Sequence, residues 1–132
     1  MGLAELYLKT LLFISKDGEL ISIKDFLTLH ASPLYVITGW NPGDQRVSKR
    51  VNLEKNNQIE NILLREGFRF ERGIGKDPDS DYFEESFFIY EISQERAIEL
   101  GREFEQVARF RVAHGSQMVI GCFEEWSLSR NL

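Results

Sequence analysis

Apolar positions along the chain switch between the two-residue period of strands and the three-to-four-residue period of helices, and each switch marks an element. Residues Leu6 to Ile14 are rich in apolar and β-branched types. Lys16-Asp17-Gly18-Glu19 then supplies a turn and Leu20 to Ile23 resumes the apolar run, which predicts an N-terminal hairpin. Asp25 to His30 reads as a short helix. Leu34-Tyr35-Val36-Ile37-Thr38 is a nearly unbroken apolar run of strand length, the pattern of a central strand covered by other elements.

Ser48 is placed to cap a helix that runs to about Arg65, with Gly67 just beyond its end and Val51, Ile59, Ile62 and Leu63 near helical spacing. Phe68 to Gly73 alternates as a half-buried strand, a long polar loop is expected over 73–85, and Ser86 to Ile92 forms the next strand. Ser93 caps a second amphipathic helix whose stripe is Ala97, Gly101, Phe104 and Ala108, with Gly101 allowing close approach to a sheet. Arg109 to Ala113 and Met118 to Phe123 flank the turn residues His114-Gly115-Ser116-Gln117 as a last hairpin.

From Leu34 onward the order is strand, helix, strand, strand, helix, strand, then one extra strand. That order predicts an α/β (α+β) fold, a two-layer ferredoxin-like sandwich on a mainly antiparallel sheet. The N-terminal hairpin extends that sheet or covers its open face. A C-terminal tail, residues 123–132 with Trp126 and Leu128, packs on the domain or on a partner.

Composition narrows the class. The 132 residues fit one domain with a core over about 7–122. The hydrophobic share of 42% and charged share of 28% are those of a soluble globular chain, and the absence of a long uncharged run or a basic leader predicts a cytoplasmic protein off the membrane. One cysteine, Cys122, excludes an internal disulfide or a cysteine zinc site. The net charge of −5 argues against nucleic acid as a partner, which needs a basic face to displace counterions.

Candidate chemistry gathers where the central run ends, at Thr38-Gly39-Trp40-Asn41-Pro42-Gly43. Pro42 pushes Asn41 toward extended geometry and fixes Trp40 and Asn41 at a strand exit, where crevices are common ligand sites. The alternative is a well-made turn around a core tryptophan. Arg46, Lys49 and Arg50 stand at the start of the Ser48 helix, where the macrodipole disfavours cations, so they await an anion or form a solvated basic face. Asn52 and Asn56 lie on the stripe of Ile59 and Leu63 and must be paired, with the Trp40-Asn41 turn or with a ligand.

Other patterns carry less. The acidic loop Asp77-Pro78-Asp79-Ser80-Asp81 lacks the glycine and glutamate of an EF-hand, leaving a looser divalent site with Glu84 and Glu85 or a solvated loop. No metal or cofactor is predicted. Gly73-Ile74-Gly75-Lys76 has the wrong spacing and position for a phosphate loop. His30 and His114 give a Ser-His-acid triad little to stand on.

The series Thr38-Gly39-Trp40-Asn41-Pro42, Asn52, Gly75-Lys76-Asp77-Pro78, Glu84-Glu85-Ser86-Phe87 and Ala97 to Gln106 resembles the bacterial domain-of-unknown-function 3293 family. The resemblance covers roughly Tyr7 to Cys122. Gly39 replaces the usual alanine, Tyr82-Phe83 the tryptophan region, and Glu105 the glycine before Gln106. It implies a compact bacterial protein and no established activity.

The resulting expectation is a crevice formed by Trp40, Asn41, Asn52, Glu84, Glu85 and Gln106 that binds a small polar or anionic molecule or a protein. Trp40 stacks, the asparagines hydrogen-bond and Arg46 or Arg50 steers an anion. Two alternatives are an enzyme using Glu84 or Glu85 as general acid or base, and a purely protein-binding role of regulatory or immunity type. A homodimer is left open.

Overall fold

The computed structural model describes residues 3–30, 32–123 and 125–132. Helix α1 (Leu3–Leu8) precedes the hairpin β1 (Leu11–Lys16) and β2 (Glu19–Ser22), then α2 (Ile23–Leu29), β3 (Leu34–Ile37) and a short 3-10 turn at Pro42–Asp44. Next come α3 (Lys49–Arg65), β4 (Phe70–Lys76), β5 (Phe83–Tyr90), α4 (Gln94–Glu103), β6 (Ala108–Ala113), β7 (Ser116–Gly121) and β8 (Ser127–Asn131). The strands form one curled antiparallel sheet in the order β2-β1-β4-β5-β3-β6-β7-β8. Among the described residues no helix is long and apolar enough to cross a membrane.

Strand β3 stands at the centre because all four of its side chains are buried. Tyr35 and Ile37 point to one face and join Ile59, Leu63, Ala97 and Leu100 of α3 and α4. Leu34 and Val36 point to the other and join Phe26, Leu27, Phe88 and Val112. Each fully buried aliphatic or aromatic side chain contributes about 1.5–3 kcal/mol, so a strand with none exposed anchors both layers. Ser48 and Ser93 cap α3 and α4 as expected, accepting from the amides of Val51 and Arg96, and Ser22, expected inside the hairpin, caps α2 by accepting from the Asp25 amide, so that helix begins at Ile23 and not Asp25. Arg96 also grips both carboxylate oxygens of Glu66, at 2.9 and 2.5 Å, and ties the end of α3 to the start of α4.

The mixed α+β class and the added hairpin stand, while several expectations are revised. The ferredoxin-like two-layer sandwich is not established by this arrangement, which has eight strands and apolar clusters on both faces. Leu3–Leu8 is a helix rather than the start of a strand, because Ala4, Tyr7 and Leu8 share one face and become half-buried there. The long polar loop shrinks to 77–82, since β4 and β5 pair from Phe70↔Ile89 out to Lys76↔Phe83. Two strands follow β6, because most of the expected tail is β8, paired to β7 with Leu128 and Arg130 turned inward. Glu124 lies outside the described residues.

Helix α4 stops at Glu103, short of the expected Ala108, and the stop is a Schellman turn. The amide of Gln106 reaches the carbonyl of Gly101 at 2.8 Å, that of Glu105 reaches Arg102 at 3.1 Å, and Glu105 takes the left-handed conformation at φ 55°. Glycine is the residue suited to that position, and the family resemblance places glycine there. Gly101 lets Cys122 approach as its position on the helix stripe implies: a Cβ there would lie 2.5 Å from the cysteine Sγ.

Replacing Glu105 by glycine is therefore expected to stabilise the chain by about 0.5–1 kcal/mol, since relief of left-handed strain outweighs the added entropy of the unfolded glycine. Thermal melting should show a rise of about 2–4 °C, and an unchanged or lower midpoint would refute the assignment.

Candidate functional site

The hydrogen-bond ladder of β3 ends at Ile37, and the residues beyond it are held by side chains. Asn56 Oδ1 accepts the amide of Gly39 at 2.7 Å while its Nδ2 donates to the carbonyl of Glu85 at 2.9 Å, so one buried amide bridges β3 and β5 where their ladder stops. One turn earlier on α3, Asn52 Oδ1 accepts the amide of Asn41 at 2.7 Å and its Nδ2 donates to Asn41 Oδ1 at 3.1 Å. Two amides spaced four residues apart on one helix face thus take up two backbone donors spaced two apart on the strand exit. Gly39 permits the closeness, because a Cβ there would meet Lys55 Cβ at 3.0 Å.

Asn41 departs from the extended geometry expected before Pro42, adopting φ 47° and ψ 65°. Asparagine tolerates this left-handed conformation, and here its side chain bonds three neighbours. Its Oδ1 also accepts the Val47 amide at 3.2 Å, and its Nδ2 donates to the Tyr82 hydroxyl at 2.7 Å. The Tyr82 hydroxyl in turn donates to Glu84 Oε2 at 3.0 Å. A continuous polar chain therefore runs from Asn52 through Asn41 and Tyr82 to Glu84.

Trp40 is only 8% exposed, yet it forms part of the wall of a cavity of ≈ 310 Å³ at one end of the curled sheet. Its amide donates to Thr38 Oγ1 at 3.1 Å, and its carbonyl accepts from Gln106 Nε2 at 3.2 Å. The neighbouring Gly43 amide donates to the Glu105 carbonyl at 2.7 Å, so the Schellman turn of α4 buttresses the same loop. Thr38, Asn41, Tyr82, Glu84 and Gln106 line the cavity with Trp40, and Leu6 and Tyr7 of α1 close part of it.

The alternation of β5 separates the two glutamates. Tyr82, Glu84 and Ser86 face the cavity, whereas Glu85 turns to the opposite side and lines two depressions near α3. Burial, followed by the Glu84 carboxylate beside it, pushes the Tyr82 phenol well above its ordinary 10. Tyr90, farther along β5, is pushed up to about 12 by burial and by its hydrogen bond to Glu71.

The residues anticipated as one crevice are divided between two adjoining depressions, with Trp40 and Asn41 lining both. Trp40, Asn41, Glu84 and Gln106 meet at the cavity, while Asn52 is buried behind the loop as its support. Arg46 lies outside that cavity, with its guanidinium 5.0 Å from the Tyr82 ring, in an adjoining depression that Trp40, Asn41, Asn52, Tyr82 and Glu85 also line. Arg50 joins neither group: its side chain is 88% exposed and pairs with Glu54 at 3.3 Å, an ordinary i,i+4 surface bridge. The acidic loop closes on itself, with Asp77 accepting from the Asp79 amide and the Ser80 hydroxyl, and these two bonds hold its carboxyl below the usual range. Among the described residues no three His, Cys, Asp or Glu side chains cluster to hold a metal.

Tyr82, Asn56 and Thr38 were missing from the expected crevice. Tyr82 sits two residues before Glu84 and four before Ser86, and that period would have exposed it had β5 been extended to Phe83.

The family described as protein of unknown function (DUF3293) matches residues 37–108, more than half of the chain. The chain belongs to the DUF3293 family. The match spans the end of β3 to the start of β6 and includes Trp40, Asn41, Asn52, Asn56, Tyr82, Glu84 and Gln106, so the DUF3293 region carries most of the cavity wall and all of its asparagine support. No curated protein and no solved structure matches the chain.

Removing the Asn56 amide strands a buried N–H and a carbonyl contact, so Asn56→Ala is expected to cost about 2–3 kcal/mol in urea unfolding. Leu53→Ala, on the exposed side of the same helix, should cost less than about 1 kcal/mol. Equal losses would remove the bridging role. A spectrophotometric titration should show Tyr90 ionising at about 12 and Tyr82 above its ordinary 10. Because the unfolded chain gives up both protons first, this stabilisation is complete below pH of about 10 and declines as pH rises beyond it. A Tyr82 that ionises normally in the folded chain would contradict its place beside Glu84.

Proposed function

We propose that the chain is a binding protein for a small polar molecule held in the cavity beside Trp40. The observation that carries this reading is the combination of a walled cavity with a hydrogen-bonded Tyr82–Glu84 pair and a largely buried tryptophan on one surface. Trp40 offers a flat apolar contact, and Glu84, oriented by Tyr82, offers acceptor oxygens to a ligand N–H or O–H. The cavity lining sets two carboxylates, Asp77 and Glu84, against one cation, Lys76, whose ammonium already donates to the Asp77 and Ser80 carbonyls, which favours a neutral or hydrogen-bond-donating ligand over the anion that Arg46 or Arg50 was expected to steer.

The second reading is a small enzyme in which Glu84 moves a proton. The Tyr82 hydroxyl at 3.0 Å from Glu84 supports it, since a carboxylate held by a fixed donor inside a cavity has the geometry of a general base. Glu85 has no part in that version, because it faces away. At the level of fold, we read β3-α3-β4-β5-α4-β6, whose strands stand in the order β4-β5-β3-β6, as a split βαβ core of ferredoxin-like type with strands added at both edges.

Native mass spectrometry of the chain purified from its own host is expected to reveal a retained small-molecule mass. Glu84→Gln and Trp40→Phe should each reduce that adduct by about tenfold or more while the circular dichroism spectrum stays unchanged. A chain that carries no adduct, or one retained equally by both folded variants, would sink the binding reading.

A further inference from the structure

A second concave surface lies on the α4 side of the sheet, away from the Trp40 cavity. Register places Tyr35, Arg111 and Met118 in one cross-strand row, and Arg109, Ile120 and Ser127 in the next. Helix α4 borders these rows on one side and Trp126 on the other, leaving an open groove of ≈ 810 Å³. Its charges are unusual for a chain of net charge −5, because Arg102 and Arg111 line it against a single exposed acid, Glu125. Arg111 is half-buried and has no hydrogen-bond or ion-pair partner among the described residues.

Beside the groove, in the row of Ile120 and Ser127 but covered from solvent, lies a third guanidinium. Arg109 is 1% exposed; its Nη1 donates to the Gly121 carbonyl at 3.1 Å, and its Nε and Nη2 have no partner. Arg102 approaches the same place from α4, donating Nε to the Cys122 carbonyl at 2.5 Å. A buried cation short of partners is costly, by several kcal/mol without a compensating charge. Cys122 does not supply that charge, since burial pushes its thiol up and keeps it protonated.

We propose that this groove is a binding site for a small ligand that joins an oxyanion, carboxylate or phosphate, to a flat apolar body. Arg111 offers a planar fork to the oxyanion, and the free N–H groups of Arg102 extend it. Trp126 and Tyr35 provide aromatic surface for the flat body, with Ile98, Met118 and Ile120 as apolar surroundings. Arg109 contributes the field of an unneutralised charge held in a low-dielectric interior, so the groove attracts anions more strongly than its two surface arginines would alone.

Calorimetric titration of the purified chain with phenyl phosphate, benzoate, inorganic phosphate and phenol at low salt tests the assignment. Saturable binding is expected for phenyl phosphate or benzoate, with phenol not binding and inorganic phosphate at least about tenfold weaker than phenyl phosphate. Arg111→Gln should weaken the aromatic anion by about tenfold or more while circular dichroism shows an intact fold, and Trp126→Ala should remove its advantage over the inorganic ion. Glu84→Gln in the other cavity should leave this binding unchanged, which separates the two sites. The proposal is overturned by no saturation with either aromatic anion, by an Arg111→Gln chain that binds as the parent does, or by inorganic phosphate binding as tightly as phenyl phosphate.

Discussion

Two side-chain amides on α3 decide where the exit of the central strand goes. Beyond Ile37 the backbone donors of Gly39 and Asn41 have left the sheet ladder, and a buried N–H without a partner costs about 1–3 kcal/mol. Asn56 and Asn52 satisfy those donors from a fixed helix, so the path of Thr38 to Asn41 follows the spacing of one helical turn. Packing alone would not achieve this, because apolar contacts are non-directional and tolerate a shift that a 2.7 Å hydrogen bond does not. Trp40 stands between the two anchored amides, and its position at the cavity is inherited from them.

Departures from local preference cluster around the same loop. Asn41 is left-handed in front of a proline, Glu105 is left-handed where glycine is favoured, and α3 begins without an acidic residue in its first turn. Each has a specific partner: the Asn41 side chain bonds Asn52, Val47 and Tyr82, Glu105 is held by the Schellman bonds and the Gly43 amide, and Arg50 in the first turn of α3 pairs with Glu54.

Much of this architecture is legible in the residues themselves. The unbroken apolar run Leu34 to Ile37 identified the central strand, Ser48 and Ser93 marked the starts of α3 and α4, and the stripe through Asn52, Asn56, Ile59 and Leu63 placed both asparagines on the buried face. The features that escaped did so for physical causes. The outer halves of β4 and β5 carry glycines and charged residues because one side meets a cavity and the other a depression, so no apolar alternation announces them. Strand β8 is polar on its outer side and buries only Leu128 and Arg130, which reads as a tail. The grouping of Arg50 with Trp40 failed because closeness in sequence on a helix does not settle which side of it a side chain takes.

The separation of Glu84 from Glu85 carries an evolutionary constraint. Strand β5 is locked to β3 from Phe87 onward, so the face on which each glutamate emerges depends on the count of residues between that lock and the hairpin. Insertions confined to 79–81 lengthen the loop beyond Asp77 and Pro78, the last residues ahead of Tyr82 that line the cavity. A single insertion or deletion between Glu84 and Phe87 would invert the parity of the strand ahead of it, turning the tyrosine and its glutamate outward together, while one between Tyr82 and Glu84 would turn the tyrosine alone. Length can drift freely on one side of Tyr82 and scarcely at all on the other.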